Sequence, residues 1–341
     1  MDLDIILEAD LTPAQIQELS LLAESFGFRG IWAQNYARAR DAFMTLVPAA
    51  QATRNIRVGV VIVSPYEMHP LKIANAVLTL NEYANGRAMV VVGAGGEWPL
   101  VMNSQVFDMA YGKRIAGTRE ALEIIKASVD QEVVNYQGEI YNAQGFTTQW
   151  HRGEPPLIYD GASGPKMLKM ATGVADGIMM SDMHPEMLGD RMALIRDSLA
   201  ENGRAGEEFN ISNFIAWHIK KDREASLDEA RRELIIRGWL ERDWLVPYVK
   251  SDEVDAILAN KWPFLKAFRE RHGNIEGVPA HVVAALVEGL SLAGDESDID
   301  RHIERLQELS AAGFTEIALR VHDDPADSIR MIGEKVLPAL R

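Results

Sequence analysis

The chain has 341 residues, 47% hydrophobic and 25% charged, ample apolar material for a large buried core. Its formal net charge of −15 argues against nucleic acid and anionic membrane surfaces as partners. With no cysteine, disulfides, thiolate catalysis and cysteine-ligated metal or iron–sulfur centres are excluded.

Strand-like and helix-like segments alternate along the chain. Residues 3–9 (LDIILEA) read as a strand, and Pro13 to Gly27 as an amphipathic helix closed by a glycine. A second strand, 28–33 (FRGIWA), precedes a helix at about 41–53. IRVGVVIV (56–63) is a near-continuous β-branched run, the pattern of a strand buried on both faces. A helix at about 70–84 leads to a fourth strand, RAMVVVGAG (87–95), and then to an irregular insertion at 96–112. A helix over 113–130 is followed by a small hairpin, VVNYQGEIYNAQGF, turning at Gly138. PPLIYDG (155–161), DGIMMS (176–181), FNISNFIAWHIK (209–220) and FTEIALRV (314–321) are strands five to eight. Helices are predicted at 165–173, 186–202, 297–312 and 325–340. Residues 223–295 are helix-rich and too long for one crossover, and read as an insertion.

This alternation predicts an α/β fold: one (β/α)8 TIM-barrel domain over residues 1–341, with insertions after strands four and seven. An open doubly wound sheet is the competing fold, and the missing early G-x-G-x-x-G speaks against it. The acidic start, MDLDIILEAD, lacks the basic residues of a signal peptide. No apolar run approaches the ~20 residues that span a bilayer, so a cytoplasmic location is expected.

In such a barrel the site lies at the C-terminal ends of the strands. Those ends carry Gln34, Asn35 and Tyr36; Ser64 and Tyr66; Gly93, Gly95, Gly96 and Glu97; Gly161, Ala162 and Ser163; and His218. Gly161 to Met167 form a glycine-rich turn from strand to helix, where unpaired N–H groups and the helix dipole favour an anion. The same residues also serve as a plain turn and cap. His69 precedes Pro70, a setting for a capped turn as well as for a catalyst. Tyr36, Tyr66 and His218 have an equal claim as packing residues with a satisfied polar tip. Trp239, Trp244, Trp262, Phe264 and Phe268 are expected to pack the insertion's own helices, with a substrate-lining role as the alternative. No histidine spacing such as H-E-x-x-H points to a metal.

Six ordered blocks, among them LAESFGFRGIWAQ (22–34), AAQATRNIRVGVVIVSPYEMHP (49–70) and PPLIYDGASGPKMLKMATGVADGIM (155–179), resemble the bacterial luciferase-like superfamily of flavin- and deazaflavin-dependent oxidoreductases. SPYEMHP and GPKM are most similar to its methylenetetrahydromethanopterin reductase branch. The resemblance implies a cis non-prolyl peptide at Val61–Ile62 behind the cofactor ring, with Ser64 at the same strand end. It implies that Gly161, Ala162, Ser163, Gly164 and Lys166 hold the cofactor phosphate while Gly93, Gly95 and Gly96 line the other side. Many relatives carry Asp-His just after strand two, where this chain has Asn35-Tyr36. Neither side chain ionises usefully near neutral pH, since free tyrosine has a pKa of about 10. The catalytic candidates are Tyr36 and Asn35 at that position with His69 and Glu97; either Glu97, His69 or His218 does the proton work or the reaction needs none from Asn35-Tyr36.

Two chemistries follow from the resemblance. The leading reading is a monooxygenase that uses reduced FMN, supplied by a partner flavin reductase, on a small organic substrate. The alternative is a reductase or dehydrogenase that passes hydride with the deazaflavin coenzyme F420. A non-catalytic flavin-binding protein is the reading of another class, and a phosphate-handling barrel enzyme unrelated to flavins is a further one. Relatives are commonly dimers, so a homodimer is expected.

Overall fold

In the computed structural model, which describes residues 1–36, 39–95, 111–130 and 133–341, the predicted strands form a closed barrel. Its parallel members are β1 (Asp2–Leu7), β2 (Gly30–Gln34), β3 (Arg57–Val63), β4 (Ala88–Val92), β7 (Leu157–Gly161), β8 (Gly177–Ser181), β9 (Asn210–Trp217) and β10 (Glu316–Val321). β1 closes the cylinder by pairing with both β2 and β10. Between β4 and β7 lies the predicted hairpin, β5 (Val134–Gln137) against β6 (Asn142–Phe146), with the Gly138 N–H donating to the Tyr141 carbonyl, 2.9 Å. The Glu120 carboxylate accepts the backbone N–H groups of Glu139, Ile140 and Tyr141, which docks that hairpin turn on the preceding helix, α4 (Tyr111–Asp130).

The helices form where capping chemistry and apolar spacing coincide. α1 (Pro13–Phe26) starts with a Thr12/Gln15 capping box and Pro13 at its first position, and ends on a left-handed Gly27. The helix predicted at 186–202 is in fact two, α6 (Pro185–Leu188) and α7 (Arg191–Glu201). The break falls at Gly189, whose φ of 47° and ψ of −128° suit only a residue without a Cβ. Residues 223–290 contain α8 (Arg223–Arg232), α10 (Ser251–Ala259), α11 (Trp262–Glu270) and α12 (Ala280–Leu290), which bury a separate core around Leu234, Val254, Phe264 and Leu286. Among the described residues no helix is long and apolar enough to cross a membrane.

Strand alternation sorts side chains between the barrel lumen and the helical shell. Ile6, Trp32, Val61, Val91, Tyr159 and Met179 fill the lumen. Below them, at the N-terminal end, a polar plug closes the barrel. Arg29 donates to Asp4 (Nε to Oδ1, 2.9 Å), to the Tyr159 hydroxyl (3.1 Å) and to Glu316. The Trp32 indole N–H donates to Asp4, 2.7 Å, and the Tyr159 hydroxyl to Glu316, 3.0 Å. Burial pushes the Glu316 carboxyl up to about 8, against the pull of Arg29.

Asp160 faces the other way, out of the lumen beside Tyr159. It is fully buried, and neither carboxylate oxygen has a hydrogen-bond partner among the described residues. Desolvation raises its pKa well above the usual aspartate value. The sign of the linkage follows: the unfolded chain loses this proton near pH ~4 while the native state keeps it. Stability from this group is complete below that pH and is lost as pH rises toward the native pKa, by up to ~1.4 kcal/mol per pH unit. Asp160→Asn is expected to flatten that part of the curve and to be the more stable protein at neutral pH. Urea unfolding of both proteins at pH 5 and 8 measures it, and parallel curves for the two would contradict it.

Candidate active site

A cavity of about 400 Å³ opens at the C-terminal end of the barrel. Its walls are mainly apolar, with Ile62, Met179, Phe214, Trp239 and Trp244 among them. The polar groups that line it are few, and they come from strand ends, from the insertion and, at Arg114, from α4.

The β3 edge is built by backbone geometry. The Val61–Ile62 peptide is cis, as the resemblance implied, and one extra β3 residue bulges against β4 between Val60 and Val63. Asn35 grips this bulge: its N–H donates to the Val61 carbonyl, 2.9 Å, and its carboxamide to the Ile62 carbonyl, 3.2 Å. Asn35 therefore holds the strand edge through hydrogen bonds a neutral amide can make. The Ile62 side chain lies over Gly93 and Gly161, and a Cβ at either position would run into its δ-methyl. Those two glycines make room for Ile62, whose side chain forms part of the cavity wall. The Ser64 hydroxyl is buried, near the Ala94 carbonyl (3.4 Å) and the Tyr66 N–H (3.3 Å), and does not line the cavity.

The turn after β7 lies on the cavity's rim. Gly161, Ala162 and Ser163 line the cavity, and α5 (Pro165–Val174) starts behind them with Gly164 as N-cap and no side chain capping it. Pro165 has no N–H to offer, and helix geometry leaves the Lys166 and Met167 amides without an acceptor four residues back. Neighbours pin the turn: the Ala162 N–H donates to the Met179 carbonyl, 3.2 Å, and Arg191 Nε to the Ser163 carbonyl, 3.1 Å. The Ser163 hydroxyl oxygen accepts the Ser181 N–H, 3.3 Å, and keeps its own proton to donate. The Lys166 side chain is exposed and outside the lining.

On the far side, charged groups at the ends of β1, β8 and β10 meet the insertion. Arg320 lines the cavity; its Nε and Nη2 are engaged by Glu8 at 3.0 and 3.1 Å, and its guanidinium lies 6.0 Å from the Phe214 ring centre. Arg237, fully buried, lies 5.4 Å from the same ring and pairs with Asp182 at 3.1 Å. Tyr36 lines this side, and burial, partly offset by Arg320, raises its phenol pKa above the ordinary value. His218 and His322 stack at 4.5 Å just beyond, held by Glu229 (2.9 Å) and Glu8 (2.7 Å). Burial lowers the pKa of both imidazoles, that of His322 far below the usual range, so both are neutral at pH 7.

The structure thus brings Asn35, Tyr36, Val61, Ile62, Gly95, Gly161, Ala162 and Ser163 to one cavity. His69 is outside it: it is the exposed N-cap of α3 (Pro70–Tyr83), accepting the Leu71 N–H at 3.3 Å. Gly96 and Glu97 lie outside the described residues. Of the insertion aromatics, Trp239 and Trp244 line the cavity, Phe264 packs the insertion core and Trp262 is exposed. Sequence reasoning passed over Arg320, Phe214 and the role of Gln34. The signal was alternation, because residues two beyond the lumen positions Trp32 and Ala318 must point up into the mouth.

A barrel mouth with a cis peptide on one side and a glycine-rich helix start on the other agrees with a family match. The model of the luciferase-like monooxygenases fits residues 4–316. The chain belongs to that family. It is therefore an oxidoreductase. Within the family it is similar, at 30% identity over 97% of both chains, to 5,10-methylenetetrahydromethanopterin reductase of Archaeoglobus fulgidus. It is 24% identical to F420-dependent glucose-6-phosphate dehydrogenase of Microbacterium testaceum, over 96% of this chain and 94% of the relative. The coenzyme F420-dependent tetrahydromethanopterin reductase of Methanopyrus kandleri has the same fold, with a TM-score of 0.81 at 22% identity over 100% of this chain and 99% of that one.

Proposed function

We propose that the chain is an F420-dependent reductase that adds hydride to an electrophilic carbon of a small organic substrate. The observation that carries this reading is the likeness, end to end, to a named reductase at 30% identity. The name of the Microbacterium relative supplies the cofactor class. This reverses the order of the two chemistries drawn from sequence alone, where reduced FMN and oxygen led.

The residues fit a planar ring with an anionic tail. The apolar slot beside Val61–Ile62 suits the ring, and the Lys166 and Met167 amides with the Ser163 hydroxyl suit a phosphate at a helix start. When bound, the deazaflavin supplies the hydride. Asn35 fixes the β3 edge, and Tyr36 presents a phenol that burial keeps protonated. Trp239 and Trp244 add apolar wall to the mouth, which favours the exclusion of water once the ring is bound. A site with Asn-Tyr where relatives have Asp-His has no ready base for oxidising an alcohol. It suits hydride addition to a carbon that already carries positive charge, such as an iminium. There the C=N π pair moves onto nitrogen as the new C–H bond forms, and no proton is transferred.

Titration with reduced F420 and reduced FMN, in argon and in air, tests the reading. Reduced F420 is expected to bind at least about tenfold tighter, ~1.4 kcal/mol, with no protein-dependent oxygen consumption. Tighter binding of reduced FMN together with protein-dependent oxygen uptake would return the monooxygenase to first place.

A further inference from the structure

Among the described residues, Gln34 is the one cavity-lining side chain whose polar atoms are all sealed and unpaired. It is 4% exposed, and neither Oε1 nor Nε2 has a partner among the described residues. Such an amide forfeits a donor and an acceptor together, which native proteins rarely leave unmet. Its position is fixed by strand alternation, two residues above the packed Trp32. Arg320 stands in the same layer, two residues above Ala318 on β10, next to β1 in the barrel.

We propose that Gln34 and Arg320 read a neutral lactam edge, an N–H beside a C=O, on the ring that the cavity holds. With the Gln34 amide turned into the cavity, the ligand N–H donates to Oε1, and its carbonyl accepts from Nε2 or from the Arg320 Nη1 that Glu8 leaves over. The charge balance selects lactam over carboxylate. At this edge Arg320 is already neutralised by a two-pronged pair with Glu8, and Arg237 by Asp182, so neither offers an anion net positive charge. A carboxylate also lacks the donor that Oε1 requires. The inference rests on the redox-ring reading above and deepens it. Both a deazaflavin and a pterin-type substrate present such an edge, so the experiment separates the two sources.

The probes are F420, FMN with its N3-methyl analogue, and, on protein carrying F420, 6-methylpterin with its N3-methyl analogue. Each is titrated by fluorescence against wild type, Gln34→Met and Gln34→Asn, with thermal melts reporting the fold of each variant. Wild type is expected to prefer the N–H member of one pair by about tenfold. Gln34→Met is expected to weaken that member by about the same factor and to abolish the preference. Loss in the FMN pair and in F420 assigns Gln34 to the cofactor; loss in the pterin pair alone assigns it to the substrate. If Gln34→Met does not fold, the shortened amide of Gln34→Asn carries the same comparison. A wild type indifferent to N-methylation, or a variant that binds every probe as wild type does, overturns the inference while leaving the redox reading intact. Failure of wild type to bind F420 and FMN removes that reading instead, and free protein with the pterin pair then decides the inference.

Discussion

Replacing Arg29 with methionine is expected to destabilise the protein by about 3–5 kcal/mol, the usual result of removing one partner from a buried ion pair. Arg29 is 15% exposed and sits between two carboxylates, Asp4 and Glu316, that are 0% and 2% exposed. Methionine fills the volume but leaves both acids in the plug with only the Trp32 and Tyr159 donors. Each would then hold its proton more tightly in the native state than in the unfolded chain. The variant's stability should therefore be highest below the unfolded carboxylate range and fall as pH rises, more steeply than in wild type. Urea unfolding across that range measures both effects. Adding Glu316→Gln should restore part of the loss, because a carboxamide stays neutral in the plug without having to hold a proton there. A loss under about 1 kcal/mol would place the plug among weak surface-type pairs.

Gly161→Ala is expected to weaken F420 binding by more than about tenfold, ~1.4 kcal/mol, with a smaller effect on unfolding. The new Cβ would meet the Ile62 δ-methyl and lie 3.1 Å from Val91 Cγ1. In a closed core such overpacking costs about 1–3 kcal/mol. Here Ile62 borders open space and can relieve the clash by swinging into the cavity, so the cost passes from stability to ring volume. Gly164→Val is a weaker perturbation by backbone criteria, since Gly164 has φ −84° and ψ 145°, an extended conformation open to any residue. A fluorescence titration paired with a thermal melt separates the two costs. Unchanged affinity in Gly161→Ala would mean that the ring does not rest against Ile62.

Strand and helix order was legible because the code is local. β-branched runs such as IRVGVVIV and caps such as Thr12 and Gly27 act over a few residues. The split at Gly189 was not read, since a glycine inside an apolar helical pattern often stays helical. The site was legible where a turn or a resemblance marked it, as at Ser163 and Val61–Ile62. The cavity floor was not, because Gln34, Phe214 and Arg320 meet only after three separate strands fix their stagger in the closed barrel. His69 shows the converse: its motif invited a catalytic role, and its imidazole caps a helix instead.

The central claim is that the barrel mouth holds a deazaflavin ring with its phosphate at the start of α5. A crystal structure of the full chain grown with F420 tests it most directly. The account predicts the ring against Val61–Ile62, within reach of Gln34, and the phosphate on the Ser163 hydroxyl and the Lys166 and Met167 amides. Clear density for the coenzyme anywhere else on the protein, with that mouth filled only by water, would contradict it.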